Sequence, residues 1–174
     1  MQIESTHAFS SSHLFWRWLL LSVVLVIIDQ VSKLSVASVL SLHDYIEVTP
    51  FFNLVHALNS GAAFSFLAHA GGWQRHFFTV LGMLVSMFLI CLLWRGVRSR
   101  LETLAYVCIV GGALGNVIDR LRIGAVIDFL DFHWQGWHWP AFNSADCFIV
   151  IGVGMMVFTA LMSHGSKNDG LRQS

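Results

Sequence analysis

The stretch FFTVLGMLVSMFLICLLW, Phe77 to Trp94, is eighteen residues without a single charge. A helix needs about 20 predominantly apolar residues to cross a bilayer, and a membrane strand would need an alternation that this run lacks. It therefore predicts a transmembrane helix over about 75–94. Three further apolar runs lie outward from it: Trp18 to Ile28 with its flanks, Thr103 to Ile118, and Cys147 to Met162. They extend to spans over about 16–38, 103–122 and 142–162, with an outer β/loop region at 41–72 and polar cytoplasmic tails at 1–14 and 164–174. The fold class expected is an α-helical integral membrane protein, four transmembrane helices with a small extracytoplasmic β-sheet, in a single membrane domain covering 1–174.

Composition agrees with that reading. Hydrophobic residues make up 56% of the 174 and charged residues 11%, whereas about a quarter of an average soluble domain is charged. Ten Lys and Arg balance ten Asp and Glu, so nothing argues for nucleic acid. The position of the charges carries more information than their sum. Arg95, Arg98 and Arg100 join the second and third spans, and with four spans both termini, with Arg17, Lys167 and Arg172, fall on the same side. The other side holds Arg75, Arg120 and Arg122, so the first side is expected to be cytoplasmic. A removable leader is a poorer account of the first run, because that run continues into Asp29 and Lys33.

The outer connection has strand character. Tyr45 to Val48 and Phe51 to His56 are β-branched and aromatic, divided by Pro50 and closed by the turn signal Asn59-Ser60-Gly61. Cys91, Cys108 and Cys147 all fall in expected spans and are read as small core residues. His133 and His138 match no zinc spacing, and Ser60, Ser65 and Ser144 lack the setting of a serine nucleophile. No metal or cofactor is expected.

Counting twenty residues in from the cytoplasmic ends brings Asn116, Asp119, Arg120, Asn143 and Asp146 to one membrane boundary. Asp29 and Lys33, four apart, share a helix face and can pair, against a cost of roughly 3 kcal/mol per charge at the bilayer centre. A packing role and a chemical role are equally open for that pair. Asn116 and Arg120 share a face in the same way, able to orient a carboxylate or hold a substrate carbonyl, with a packing or snorkelling role as the rival. Asn143 is placed as an N-cap three residues before Asp146. Asp128 precedes Asp146 by 18 residues, with room for a reversal through Gln135-Gly136 and Trp139-Pro140. Two carboxylates forced together in a low-dielectric place cannot both ionise, and the resulting acid and base can activate water. The competing reading leaves Asp128 and Asp131 facing water beside an aromatic belt of Trp134, Trp137 and Trp139.

Five strings carry a resemblance: DQVSK (Asp29–Lys33), FFNLVHALNSGAAF (Phe51–Phe64), GGALGNVIDR (Gly111–Arg120), VIDFLDF (Val126–Phe132) and AFNSAD (Ala141–Asp146). Together they cover most of the chain, and it resembles the bacterial lipoprotein signal peptidase family, also called signal peptidase II. The resemblance implies a membrane aspartic endopeptidase of the bacterial inner membrane, active at the outer face as a monomer. It would cut the signal peptide from diacylglyceryl-modified prolipoproteins before the lipidated Cys, without cofactor, its partners being those substrates and membrane lipids. It implies a catalytic dyad of Asp128 and Asp146, supported by Asp29, Lys33, Asn59, Asn116, Arg120 and Asn143, with Asp131 outside the dyad and Ser144 and Cys147 as tolerated neighbours. A β-cradle and a helical segment over the site would correspond to Tyr45–Phe66. The alternative of another class is a small transporter or proton relay built on intramembrane Asp, Lys and Arg, which would favour charges spread through the membrane depth.

Overall fold

A computed structural model describes residues 4–61, 72–97 and 99–171, and the side chains of those between 13 and 162. In chain order the elements are α1 (Glu4–Val39), β1 (Tyr45–Thr49), β2 (Phe52–Asn59), α2 (Trp73–Arg95), α3 (Arg100–Ile123), β3 (Val126–Trp134), β4 (Trp137–His138) and α4 (Ser144–Leu171). Four segments are long and apolar enough to cross a membrane: His13–Val39, Trp73–Arg95, Arg100–Ile123 and Ser144–Met162. At 1.5 Å per residue each reaches roughly the 30 Å of a bilayer core. Helices α1 and α4 also run into the stretches read as polar tails.

Helix α3 is the centre of the bundle, and α1, α2 and α4 all pack against it. Its sequence explains why. Without a hydrophobic drive between helices in lipid, close packing rests on small residues, and α3 carries Gly111-Gly112 and Gly115. A Cβ on Gly115 would stand 2.5 Å from Asp29 Oδ2 of α1, and one on Gly112 would collide with the Ala145 carbonyl of α4. The two halves of α3 then differ in chemistry. Ala105, Val107, Ile109 and Val110 join Phe15, Leu89 and Leu93 in an apolar core, while Asn116 and Asp119, nearer its C-terminus, are buried polar residues.

The helix ends are set by local chemistry. Ser99 caps α3, its Oγ accepting the Glu102 N–H at 3.0 Å, and Gly124 ends it in the left-handed conformation at φ 82°. That stop delivers the chain directly into β3. The four strands form an antiparallel sheet in the order β1-β2-β3-β4. Strand β3 was read from sequence only as part of an outer reversal, yet it is nine residues long and pairs with β2. The reversal at Gln135-Gly136 is a two-residue hairpin turn in which both residues have positive φ, 50° and 83°, the type that matches strand twist. Of the Tyr45–Phe66 stretch expected to hold a cradle and a helical segment, the part up to Asn59 forms β1 and β2, while 62–66 lies outside the described residues.

Exposed aromatics mark the two ends of the bundle. Trp16 and Trp94 flank Phe15 at one end, and Trp73, Trp134, Trp137 and Trp139 are exposed at the other, as expected of interfacial side chains.

Candidate active site

Two elements deliver the two carboxylates. Asp128 sits on β3 where it leaves the end of α3, and Asp146 sits in the first turn of α4. Asp128 is 3% exposed. Both line one cavity of about 630 Å³, together with Asn59, Gly61, Asn116, Arg120, Phe142, Trp139 and the apolar Ile149 to Ile151 of α4.

Each of the four carboxylate oxygens accepts an N–H. Asn143 Nδ2 donates to Asp128 Oδ1 at 2.6 Å, and Asn59 Nδ2 donates to Asp128 Oδ2 at 3.0 Å. Asn116 Nδ2 donates to Asp146 Oδ1 at 2.9 Å, and the Asn143 backbone N–H donates to Asp146 Oδ2 at 3.3 Å. The three amides are oriented by what their oxygens accept. Asn59 Oδ1 takes the Gly61 N–H at 3.1 Å, Asn143 Oδ1 takes the Asp146 N–H at 3.1 Å, and Asn116 Oδ1 takes Lys33 Nζ at 2.8 Å. An amide whose oxygen is committed can turn only its NH₂ to the carboxylate.

The Asp128 carboxyl is pushed up from its ordinary value to about 6, first by burial and then by the charge of Asp146. The amides of Asn59 and Asn143 and the Lys33 ammonium oppose that rise. Burial wins because it penalises the ionised form whenever it forms, while each donor recovers only part of that cost. Asp128 therefore keeps its proton to a higher pH than an ordinary carboxyl does.

Behind the cavity lies a second polar layer. Lys33, 1% exposed, is 2.8 Å from Asp29 Oδ2 and 2.9 Å from Asp119 Oδ2, so with Asn116 it has three acceptors for its three N–H groups. The other oxygen of Asp29 accepts the Ala145 N–H at 2.9 Å and the Ser144 hydroxyl at 2.7 Å. A carboxylate from α1 thus meets the positive end of α4. Arg120 donates to the Gly61 carbonyl at 3.3 Å and lies over the Phe78 ring at 5.4 Å. Its Nε is buried with no partner among the described residues.

The structure thus brings Asp29, Lys33, Asn59, Asn116, Arg120, Asp128, Asn143 and Asp146 into one connected set. Asp131 stands apart: it is buried, accepts Asn53 Nδ2 at 2.9 Å and lies 2.9 Å from His138 Nδ1. Sequence reasoning gave Asp119 no role of its own, although a charge at this depth is a signal in itself. Ser144, which the resemblance leaves as a tolerated neighbour, has its hydroxyl tied to Asp29 and Ser32. Linked at one end of the bundle, these charges do not support a transport relay spread through the membrane depth.

The chain is similar to proteins of known name. The family model described as "Signal peptidase (SPase) II" matches residues 21–162. A protein of Aeromonas hydrophila named "Lipoprotein signal peptidase" is 53% identical over 154 residues, covering 87% of this chain and 92% of its own. A protein of the same name from Ralstonia nicotianae is 51% identical, covering 83% of each chain. A solved structure described as "Bacterial membrane enzyme structure by the in meso method at 2.3 A resolution" superposes with a TM-score of 0.77 at 32% identity, over 87% of this chain and 91% of the other.

Proposed function

The chain belongs to the signal peptidase II family and is a multi-pass bacterial membrane protease that removes signal peptides from prolipoproteins; on that premise we propose that Asp128 and Asp146 are its catalytic dyad. The observation that carries this reading is that each of their four oxygens accepts an N–H at the wall of one cavity. Such a site holds both carboxyls still and leaves lone pairs free for a shared proton and a water.

Hydrolysis then follows the acid–base logic of a carboxyl pair. The ionised carboxylate takes a proton from water as the water oxygen attacks the scissile carbonyl carbon, and the protonated carboxyl gives its proton to the carbonyl oxygen. The tetrahedral intermediate collapses: one of its hydroxyls returns a proton to the carboxylate that gave it, the C–N bond breaks, and the proton taken from water passes to the leaving amine. Asn59, Asn116 and Asn143 fix the two carboxyls, while Arg120, whose Nε–H has no partner among the described residues, holds a substrate backbone carbonyl. Asp29 and Lys33 act one layer further back.

The substrate is a prolipoprotein whose cysteine carries a diacylglyceryl group, cut immediately before that cysteine. The apolar flank of the cavity along Ile149, Val150 and Ile151 of α4 suits a signal helix arriving from the bilayer. The enzyme works as a monomer and a single membrane domain in the inner membrane, its termini cytoplasmic, its dyad at the outer face and its substrates' acyl chains left among membrane lipids. The test is cleavage of a diacylglyceryl-modified prolipoprotein by the wild type, Asp128→Asn and Asp146→Asn. Near-normal turnover by either folded variant would refute the dyad. A topology reporter fused after Ser174 is expected to read out as cytoplasmic, and an external readout would overturn the orientation.

A further inference from the structure

Asp119 is 1% exposed and does not line the cavity, so it touches no substrate. All its contacts are structural links, and they lead to both halves of the dyad. One oxygen, Oδ2, accepts the backbone N–H of Ile127 at 3.3 Å and sits 2.9 Å from Lys33 Nζ. Ile127 is the residue before Asp128, so this bond fixes where β3 presents that carboxylate. Lys33 holds Asn116 Oδ1 at 2.8 Å, and Asn116 in turn donates to Asp146 at 2.9 Å. The other oxygen, Oδ1, accepts Gln30 Nε2 at 3.0 Å, and Arg122 donates to the side-chain Oε1 of that same Gln30 at 3.1 Å.

We infer that Asp119 is a positioning residue for the reaction: behind the direct Asn143 bridge, one carboxylate oxygen, shared by Ile127 N–H and Lys33, helps set the separation of Asp128 from Asp146. No other residue among those described joins the strand bearing one carboxylate to the Lys33–Asn116 chain ending on the other. Loss of the link frees β3 by a fraction of the distance over which proton transfer works, and a displacement of about 1 Å costs about a hundredfold in rate. The inference rests on the dyad assigned above.

The test is a comparison of Asp119→Asn with the wild type in detergent, on a diacylglyceryl-modified prolipoprotein, with Asp128→Asn and Asp146→Asn measured alongside. Asp119→Asn keeps the size of the side chain and removes its charge. Turnover per folded molecule should fall about a hundredfold with KM held within threefold. The alkaline limb of kcat/KM should move to lower pH, because Lys33 then carries less compensating negative charge beside the dyad. Where the single variant does not accumulate, Asp119→Asn/Lys33→Met removes the ion pair as a unit, and it should turn over more slowly than Lys33→Met alone. Wild-type turnover in the folded variant, an unmoved pH limb, or activity lost only in step with folded protein would overturn the inference. Those results with both dyad variants inactive would leave the dyad standing and remove only the role of Asp119; activity in a dyad variant would remove the dyad itself.

Discussion

At the start of α4, Asn143 and Asp146 hold each other. The Asn143 side-chain oxygen accepts the Asp146 N–H at 3.1 Å, and the Asp146 carboxylate accepts the Asn143 N–H at 3.3 Å. This is a capping box in which the third helical residue is one of the two carboxylates. Helix stability and the aim of a reactive group thus share the same two bonds. The remaining amide hydrogens of Asn143 face Asp128 at 2.6 Å.

That double duty can be separated by substitution. Asn143→Ser keeps a good N-cap but cannot reach Asp128, so the melting temperature should change little. Turnover should fall about tenfold to a hundredfold, the value of a hydrogen bond to a charged group. Asn143→Ala should lose the turnover and about 1 kcal/mol of stability as well. Equal turnover in Asn143→Ser and wild type would show that the amide does not serve Asp128.

The Asp128 carboxyl, pushed up to about 6 by burial and by Asp146, gives a pH signature with a definite sign. The folded chain holds this proton at pH values where the unfolded chain, with an ordinary carboxyl near 3.9, has released it. Stability therefore falls as pH rises through that interval, by about 3 kcal/mol in all. Melting temperatures of wild type minus Asp128→Asn, followed from pH 4 to pH 7, should show that fall; a flat difference would contradict it. Above about pH 6 kcat/KM should also decline as the shared proton is lost, up to tenfold per unit.

Lys33 is a buried ammonium with three acceptors. Lys33→Met leaves two buried carboxylates facing each other without a cation, and breaking such a set costs about 3–5 kcal/mol. Thermal melting in detergent should show that loss. The companion Lys33→Met/Asp119→Asn should recover part of it, since fewer charges are then left unpaired. A double variant less stable than the single would mean that Lys33 matters for packing alone.

The close approach of α1 to α3 at Gly115 predicts a contrast between two glycines. Gly115→Ala places a methyl 2.5 Å from Asp29 Oδ2, whereas a Cβ on Gly154 meets nothing within 4 Å. Gly115→Ala should therefore lower both melting temperature and activity, and Gly154→Ala should leave both near wild type. Helix separation at Gly115 also disturbs the carboxylate that holds the start of α4.

The helices were legible because hydrophobic runs of bilayer length have few other uses. The polar set was legible in part because i, i+4 spacing places Asp29 with Lys33 and Asn116 with Arg120 on single faces. Periodicity does not say which face of α3 meets which neighbour, and the Lys33–Asn116 bond joins residues 83 apart in sequence. Strand β3 was less legible because Asp128 and Asp131, a residue type depleted in strands, interrupt a stretch from Val126 to Trp134 that is otherwise β-branched and aromatic. Counting along the helix places Asp119 at the membrane boundary but gives it no partner. Its partners lie on α1 and β3, which only the fold brings together.

The grip of Asp29 on the α4 N-terminus has a consequence for the timing of synthesis. Asp29 lies in the first span to leave the ribosome, while Ala145 and Asp146 belong to the fourth. Until that fourth span enters the bilayer, Asp128 has neither its carboxyl partner nor the Asn143 amide. With the proposed dyad, a partly inserted chain therefore has no assembled cutting centre, and hydrolytic power arrives only with the completed bundle.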